Sequence, residues 1–401
     1  MTRDECCNNF PEFYSFPPHQ KDTQEETTID VESILKSSQR KLVLHFDINE
    51  TILIGDEAGG DTVEDCLNKI IAKTAFVSYP NGNSPSDKTI SRTKEFIPSQ
   101  WWNGQNLNDD SSTDPPPIYI GWDWPSNSCP YYRTAYKKLS KNFTTHHGKL
   151  YQPLYMALKE AFLTPTKNDN LPPSHPFYRM LPSFFHTLVM LQKLGKDYTL
   201  VLRTFGTDLD DIANAISDFA KGKHPLYPTF REPKLVLEKC HMYKGRYRLE
   251  ESSNHDQDGG YNSIFDLFQW DDSSKVVASG DDELLHVIEN LSICGIQDDY
   301  HYWDNNDNSP SAGKPVWIHP IDQGKQLYHH LFFDDNIHND ETDSIVAVRT
   351  RKDHGSHWRS LSGQETINQQ GKYVVRVPTV AAILDKNWFL NQIALAEHKF
   401  L

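Results

Sequence analysis

Five short apolar runs, each ending in or followed by polar residues, constrain this chain more than any other feature: KLVLHF (41–46), YTLVLRT (198–204), SICGIQDD (292–299), HLFFDDN (330–336) and SIVAVRT (344–350). Continuous apolar runs of this length suit strands buried on both faces of a parallel sheet. Helical patterns precede or separate most of them, among them TVEDCLNKIIAKTAF, PSFFHTLVMLQKLG, DLDDIANAISDFAKG and DDELLHVIENL. Such alternation predicts right-handed crossovers and an α/β, doubly wound parallel sheet. A last strand and a long helix are expected in YVVRVPTVAAILDKNWFLNQIALAEHKF.

The runs also predict an organisation. Residues 1–39 have little periodic apolar content and read as a mostly disordered arm, in which IDVESILK can form a docked short helix. The α/β core is expected over 40–76 and 179–401. Residues 77–178 are too long for a connection and read as a large inserted, cap-like region, rich in proline and aromatic pieces such as DSSTDPPPIYIGWDWP. A second insertion is expected at 221–275, where SSNHDQDGG reads as a mobile surface loop.

Charge narrows the function classes. Lys and Arg total 40 against 55 Asp and Glu, and a net charge of −15 opposes binding to nucleic acid. A small phosphorylated substrate remains compatible, because a metal ion and a few cations can reverse the potential inside one pocket. Six scattered cysteines without CxxC spacing argue against a disulfide framework or a zinc site and fit a cytoplasmic protein. No apolar run approaches membrane-spanning length, so no membrane partner is expected. The oligomeric state is left open.

In an open parallel sheet the ligand crevice lies beyond the carboxyl ends of the strands. Asp47, Thr204, Asp334 and Asp335 all stand at such ends. Taken in order, HFDINET, LVLRTFGTD, SAGKPVWI and LFFDDN resemble the four signature motifs of the haloacid dehalogenase (HAD) superfamily, whose commonest members are magnesium-dependent phosphatases. The resemblance covers about 41–75, 180–220 and 280–350 and implies a Rossmannoid HAD-like core. It implies that Asp47 is a nucleophile forming an aspartyl phosphate, that Thr204 and Lys314 bind the transferring phosphate, and that Mg²⁺ is held by Asp47, the Asn49 backbone carbonyl, Asp334 and Asp335. An ionised carboxylate can attack phosphorus, and the cation allows two anions to approach each other.

One position departs from that family. Its active phosphatases carry a second Asp two residues after the nucleophile, which protonates the leaving oxygen; here the residue is Asn49, whose amide cannot titrate. The expectation is therefore a hydrolase with weakened general acid catalysis, best on aryl or acyl phosphates. The alternative is a catalytically silent relative that binds a phosphorylated ligand or a protein partner. Arg203 and Arg133 are further candidates for phosphate contacts, and Lys325 is a weaker substitute for Lys314. Asp298, Asp299 and Tyr300 are candidates for the pocket border, and Asp281 for a helix cap. Adjacent residues on a strand face opposite ways, so His329 and His330 read as surface or supporting residues and not as one metal cluster.

Overall fold

The structure is a computed structural model; it describes residues 30–401 except 56–59, 80–95, 110–113, 117, 166–170, 252–260, 322–325, 343 and 401. Contacts divide the chain into two units, 62–160 (grouped with 1–29) and 30–61 with 161–401. The inserted unit thus begins at Thr62, ahead of the expected 77. The reason lies in helix Val63–Thr74, started by a reciprocal Thr62/Asp65 capping box, which packs on the turns of Lys137–Thr145. Asn68 fixes that packing by accepting from the Thr144 N–H and hydroxyl, both at 2.8 Å.

The large unit is built on β1 (Lys41–Asp47); the inserted unit holds a small pair, β2 (Phe76–Ser78) and β3 (Ser128–Pro130). Trp101, Tyr131, Phe143 and Tyr151 form the aromatic core of the inserted unit. The large unit continues with β4 (Tyr198–Thr204), β5 (Met242–Glu251), β6 (Tyr261–Gln269), β7 (Asp272–Ser279) and β8 (Ile293–Gln297). It ends with β9 (Lys314–Ile318), β10 (Tyr328–Asp334), β11 (Val346–Thr350), β12 (Arg359–Ser360) and β13 (Val374–Arg376).

Eight strands form one sheet in the order β13-β10-β1-β4-β8-β5-β6-β7. From β13 to β5 all neighbours run parallel, whereas β5-β6 and β6-β7 are antiparallel, so the α/β sheet is mixed and not purely parallel. This hairpin extension occupies much of the interval expected to be an insertion; SSNHDQDGG lies outside the described residues. SIVAVRT, expected in the main sheet, is instead the middle strand of a separate sheet, β12-β11-β9. The four helical patterns expected from periodicity appear at Val63–Thr74, Pro182–Lys193, Leu209–Ala220 and Gly280–Asn290.

Strand order singles out one position in the sheet. From β1 the chain steps to β4 and β8 on one side, then returns to β10 and β13 on the other. The order therefore reverses at β1/β10, which is where open α/β sheets bind ligands. Of the arm, residues 1–29 lie outside the described part, while Val31–Ser37 is a helix capped by Asp30 and packed on helix Trp388–His398. That closing helix carries Glu397, fully buried, which pairs with Arg40 at 3.5 Å and hydrogen-bonds Ser38 and His329. Burial alone would push its carboxyl up, but His329, Ser38 and Arg40 outweigh it and hold the group at about 2.

Candidate active site

Phe46 and Phe333 are register partners in parallel strands, so Asp47 and Asp334, the next residue of each, leave the sheet side by side at the reversal point. Both are buried, and so is Asp335. A tight turn follows β1: Ile52 and Leu53 N–H groups donate to the Ile48 carbonyl at 3.0 and 2.9 Å. Glu50 takes a left-handed φ of 59° inside this turn, a conformation disfavoured for a residue with a side chain. Its backbone is held there on both sides, with N–H donating to the Leu53 carbonyl at 2.8 Å and C=O accepting from Thr379 Oγ1 at 2.7 Å. The turn also presents Thr51 Oγ1 to the Asp335 N–H at 3.1 Å.

Lys314 arrives from the second sheet. Gly313, just before it, lies so close to the neighbouring strand that a Cβ would sit 2.3 Å from the Ile345 carbonyl oxygen. The Lys314 N–H donates to that same oxygen at 2.7 Å. Its buried ammonium donates to Asp334 Oδ2 at 2.9 Å and to Asp47 Oδ1, with Nζ 4.9 Å from the Phe205 ring centroid. Burial pulls the Lys314 pKa down, yet the Asp334 and Asp47 charges outweigh it and keep the amine protonated. Burial pushes the Asp47 carboxyl well up; Lys314 opposes this, while Asp334 and Asp335 add to it.

Asp47, Asp334 and Asp335 each offer an oxygen, and these atoms lie within 4.8 Å of one another. One ammonium serves these three carboxyl groups, and a divalent cation would stabilise all of them in the ionised form. All-oxygen donors suit Mg²⁺. The arrangement is braced from outside: Asp334 Oδ1 accepts from the Asn336 N–H at 2.8 Å, and Asp335 Oδ1 from Asn336 Nδ2 at 3.1 Å.

Thr204 ends β4 beside this cluster, one residue past the Asp47/Arg203 register pair. Its Oγ1 accepts from the Gly206 N–H at 2.8 Å, which leaves the hydroxyl hydrogen to donate elsewhere. Asn49 sits with it: Nδ2 donates to Asp208 Oδ2 at 3.1 Å, and Oδ1 is buried with no hydrogen-bond partner among the described residues. Asp208 stands at the cap of helix Leu209–Ala220 without capping it. Thr51, Gly206 and Asp208 were not singled out from the sequence. The one signal was FGTD directly after Thr204, a glycine and an acid at a strand end.

Arg203 is a correction. Its guanidinium is fully buried and already engaged: it forks onto Asp298 at 3.0 Å (Nε to Oδ2) and 2.5 Å (Nη2 to Oδ1), and Nη1 donates to the Pro315 carbonyl at 2.9 Å. Asp298 is thereby spent as its counterion, and Asp299 caps helix Tyr300–Asn305 through the Tyr302 N–H. Arg133, in the inserted unit, lies over the Trp124 ring. Asp281 does not cap its helix; it accepts from Trp317 Nε1 and Arg349 Nη1 at 2.7 and 2.6 Å. Lys325 lies outside the described residues.

His329 and His330 do face opposite ways, but both are fully buried and neither is a surface residue. His330 belongs to a second cluster with Glu289 and His319. Its protons can be placed by donor logic. Arg203 Nη1 only donates, so His45 Nδ1 accepts at 3.1 Å and His45 Nε2 must carry hydrogen. His45 then donates to His330 Nδ1 at 3.0 Å, and His330 Nε2 donates to Glu289 Oε1 at 3.0 Å. In this chain His330 Nε2 carries a hydrogen toward Glu289.

Acid breaks this chain, since a second proton on His330 would face the His45 donor. Burial lowers the His330 pKa from 6.5 to about 4 against the pull of Glu289. A depressed folded value means stability is present above the unfolded pKa and lost as pH falls from about 6.5 towards 4, on the order of 3 kcal/mol from this group. Urea unfolding at pH 7.5 and pH 4 should read that loss, and His330→Gln should shrink it by a similar amount.

No family model, no curated protein and no solved structure matches this chain. Among the described residues no helix is long and apolar enough to cross a membrane.

Proposed function

We propose that this chain is a magnesium-dependent phosphohydrolase of HAD type, acting on a small or medium phosphorylated substrate through a phosphorylated Asp47. One observation carries the reading: the Lys314 ammonium joins Asp47 to Asp334, with Asp335 adjacent, at the point where the order of a largely parallel sheet reverses. In this reading the unit 62–160 occupies the place in the sequence, between the first and second motifs, where such proteins insert a cap.

The residues divide the work. Asp47 supplies the carboxylate oxygen that attacks phosphorus, and the leaving group departs with the electron pair of its bond to phosphorus. Lys314 binds a phosphate oxygen while holding Asp47 in place, and the Thr204 hydroxyl donates to a second oxygen. Asp47, Asp334 and Asp335, with the Asn49 carbonyl as a further candidate, would hold Mg²⁺, which when bound would supply the positive charge that lets two anions meet. Water then cleaves the acyl phosphate and restores the Asp47 carboxylate.

Beryllium fluoride with Mg²⁺ mimics a phosphorylated carboxylate and tests the site without requiring turnover. At one hundred times its dissociation constant such a ligand stabilises by about 2.7 kcal/mol, a readily measured rise in melting temperature. The rise should vanish in Asp47→Ala. A melting temperature indifferent to fluoride in the wild-type protein would remove the reading.

A further inference from the structure

Resting on the phosphohydrolase reading, we propose that the favoured substrates are phosphoramidates in their N-protonated, zwitterionic form, in which the phosphoryl group is carried on an ammonium-type nitrogen, and that Asn49, oriented by Asp208, selects them. Asn49 lies two residues beyond the nucleophile. A Cβ on Gly206 would lie 2.8 Å from Asp208 Oδ2, 3.3 Å from Thr204 Oγ1 and 3.6 Å from Asn49 Nδ2, so glycine leaves these three polar atoms around one shared point. The Asn49 amide therefore adjoins the hydroxyl assigned to the phosphate.

Its orientation follows from its partner. A carboxylate has only acceptors, so the amide meets Asp208 through Nδ2. Oδ1 is thereby turned away from Asp208, buried and without a partner among the described residues. The residue two positions past the nucleophile, where a general acid is expected, thus keeps one unsatisfied polar atom, and that atom is an acceptor.

Leaving groups divide by what they present to that oxygen. An alkyl ester oxygen requires a proton that an amide does not supply. An acyl or aryl phosphate departs as an anion, and its lone pairs would face those of Oδ1. A phosphoramidate nitrogen brings its own hydrogens: an N–H donates to Asn49 Oδ1, an otherwise unsatisfied acceptor. The reaction balances without an added acid. In the zwitterionic form, R–NH2⁺–PO3²⁻, Asp47 attacks phosphorus, the P–N bond breaks, its electron pair passes to the ammonium-type nitrogen, and a neutral amine leaves. Water then attacks the acyl phosphate at phosphorus, both its protons go to the released phosphate (H2PO4⁻, in exchange with solvent), and Asp47 returns as carboxylate.

The test compares three probes on the full chain with Mg²⁺: inorganic phosphoramidate, acetyl phosphate and glycerol 2-phosphate. Phosphoryl capture is read as the mass gain and hydroxylamine lability of Asp47, and turnover as released phosphate. The expected result is a kcat/KM for phosphoramidate at least about 10²-fold above that for glycerol 2-phosphate, the usual worth of the missing acid. It should also exceed that for acetyl phosphate. Asn49→Ala and Asp208→Ala should each lower the ratio of phosphoramidate to acetyl phosphate about tenfold, the value of one hydrogen bond. Asp208→Glu should recover part of it, marking Asp208 as a positioning residue. If acetyl phosphate labels Asp47 but phosphoramidate is used no faster than glycerol 2-phosphate, the substrate assignment is overturned and the hydrolase reading stands. If no probe labels Asp47, both fall. The wild-type comparison decides this even if a variant fails to fold.

Discussion

Asp47→Asn is expected to lower magnesium-dependent phosphate release by roughly 10⁴- to 10⁶-fold, the scale seen when a covalent nucleophile is removed. The change is nearly isosteric, so packing against Phe46 and the first turn is kept. An amide oxygen retains a hydrogen bond from Lys314, but it does not form the acyl phosphate on which the second step depends. Stability should move the other way. In the metal-free protein Asp47 is a buried carboxylate whose pKa is pushed up by burial and by Asp334 and Asp335. A raised folded value means that its ionisation costs stability as pH rises through that value. At neutral pH the variant should therefore melt no lower than the metal-free wild type. Turnover within tenfold of wild type, measured on protein of confirmed mass, would remove Asp47 from the chemistry.

Lys314→Met should have the largest effect on the fold. It replaces a buried ammonium by an apolar chain of similar length and leaves Asp47, Asp334 and Asp335 without their internal cation. Breaking a buried ion pair from one side costs about 3 to 5 kcal/mol, because the remaining charge stays desolvated. The carboxyls should answer by holding protons to higher pH, so the deficit should shrink towards acid and widen towards neutrality. Urea unfolding at pH 5 and pH 8 reads that sign. Saturating Mg²⁺ should recover part of the loss without restoring turnover, since the ion supplies charge but not the donor that Lys314 gives to phosphate. A variant as stable as wild type at pH 8 without metal would show that the ammonium does not balance these carboxylates.

Local pattern carried much of the site. Asp47, Thr204, Asp334 and Asp335 are legible because each ends an apolar run, and a buried parallel strand must end in polar residues at the crevice. Lys314 is harder: nothing in SAGKPVWI says that its strand belongs to another sheet, and only its order before LFFDDN pointed to it. The hairpin β5–β7 was missed for a physical reason. YKGRYRLE and DSSKVVAS lack the continuous apolar character of a covered strand, and β7 is largely exposed. Sequence alone assigns His329 and His330 at most a supporting role, because burial of polar rings depends on partners far away in sequence.

By itself the sequence determined the kinds of element and the residues at their ends, since periodicity and strand termination depend on neighbours a few positions apart. Tertiary structure alone decided which ends met. It turned Arg203 onto Asp298, brought Lys314 between two carboxylates from separate strands, and placed Asp208 against Asn49. Those pairings span up to 267 residues and hold because a buried charge or amide is stable only beside a complementary group, wherever in the chain that group lies.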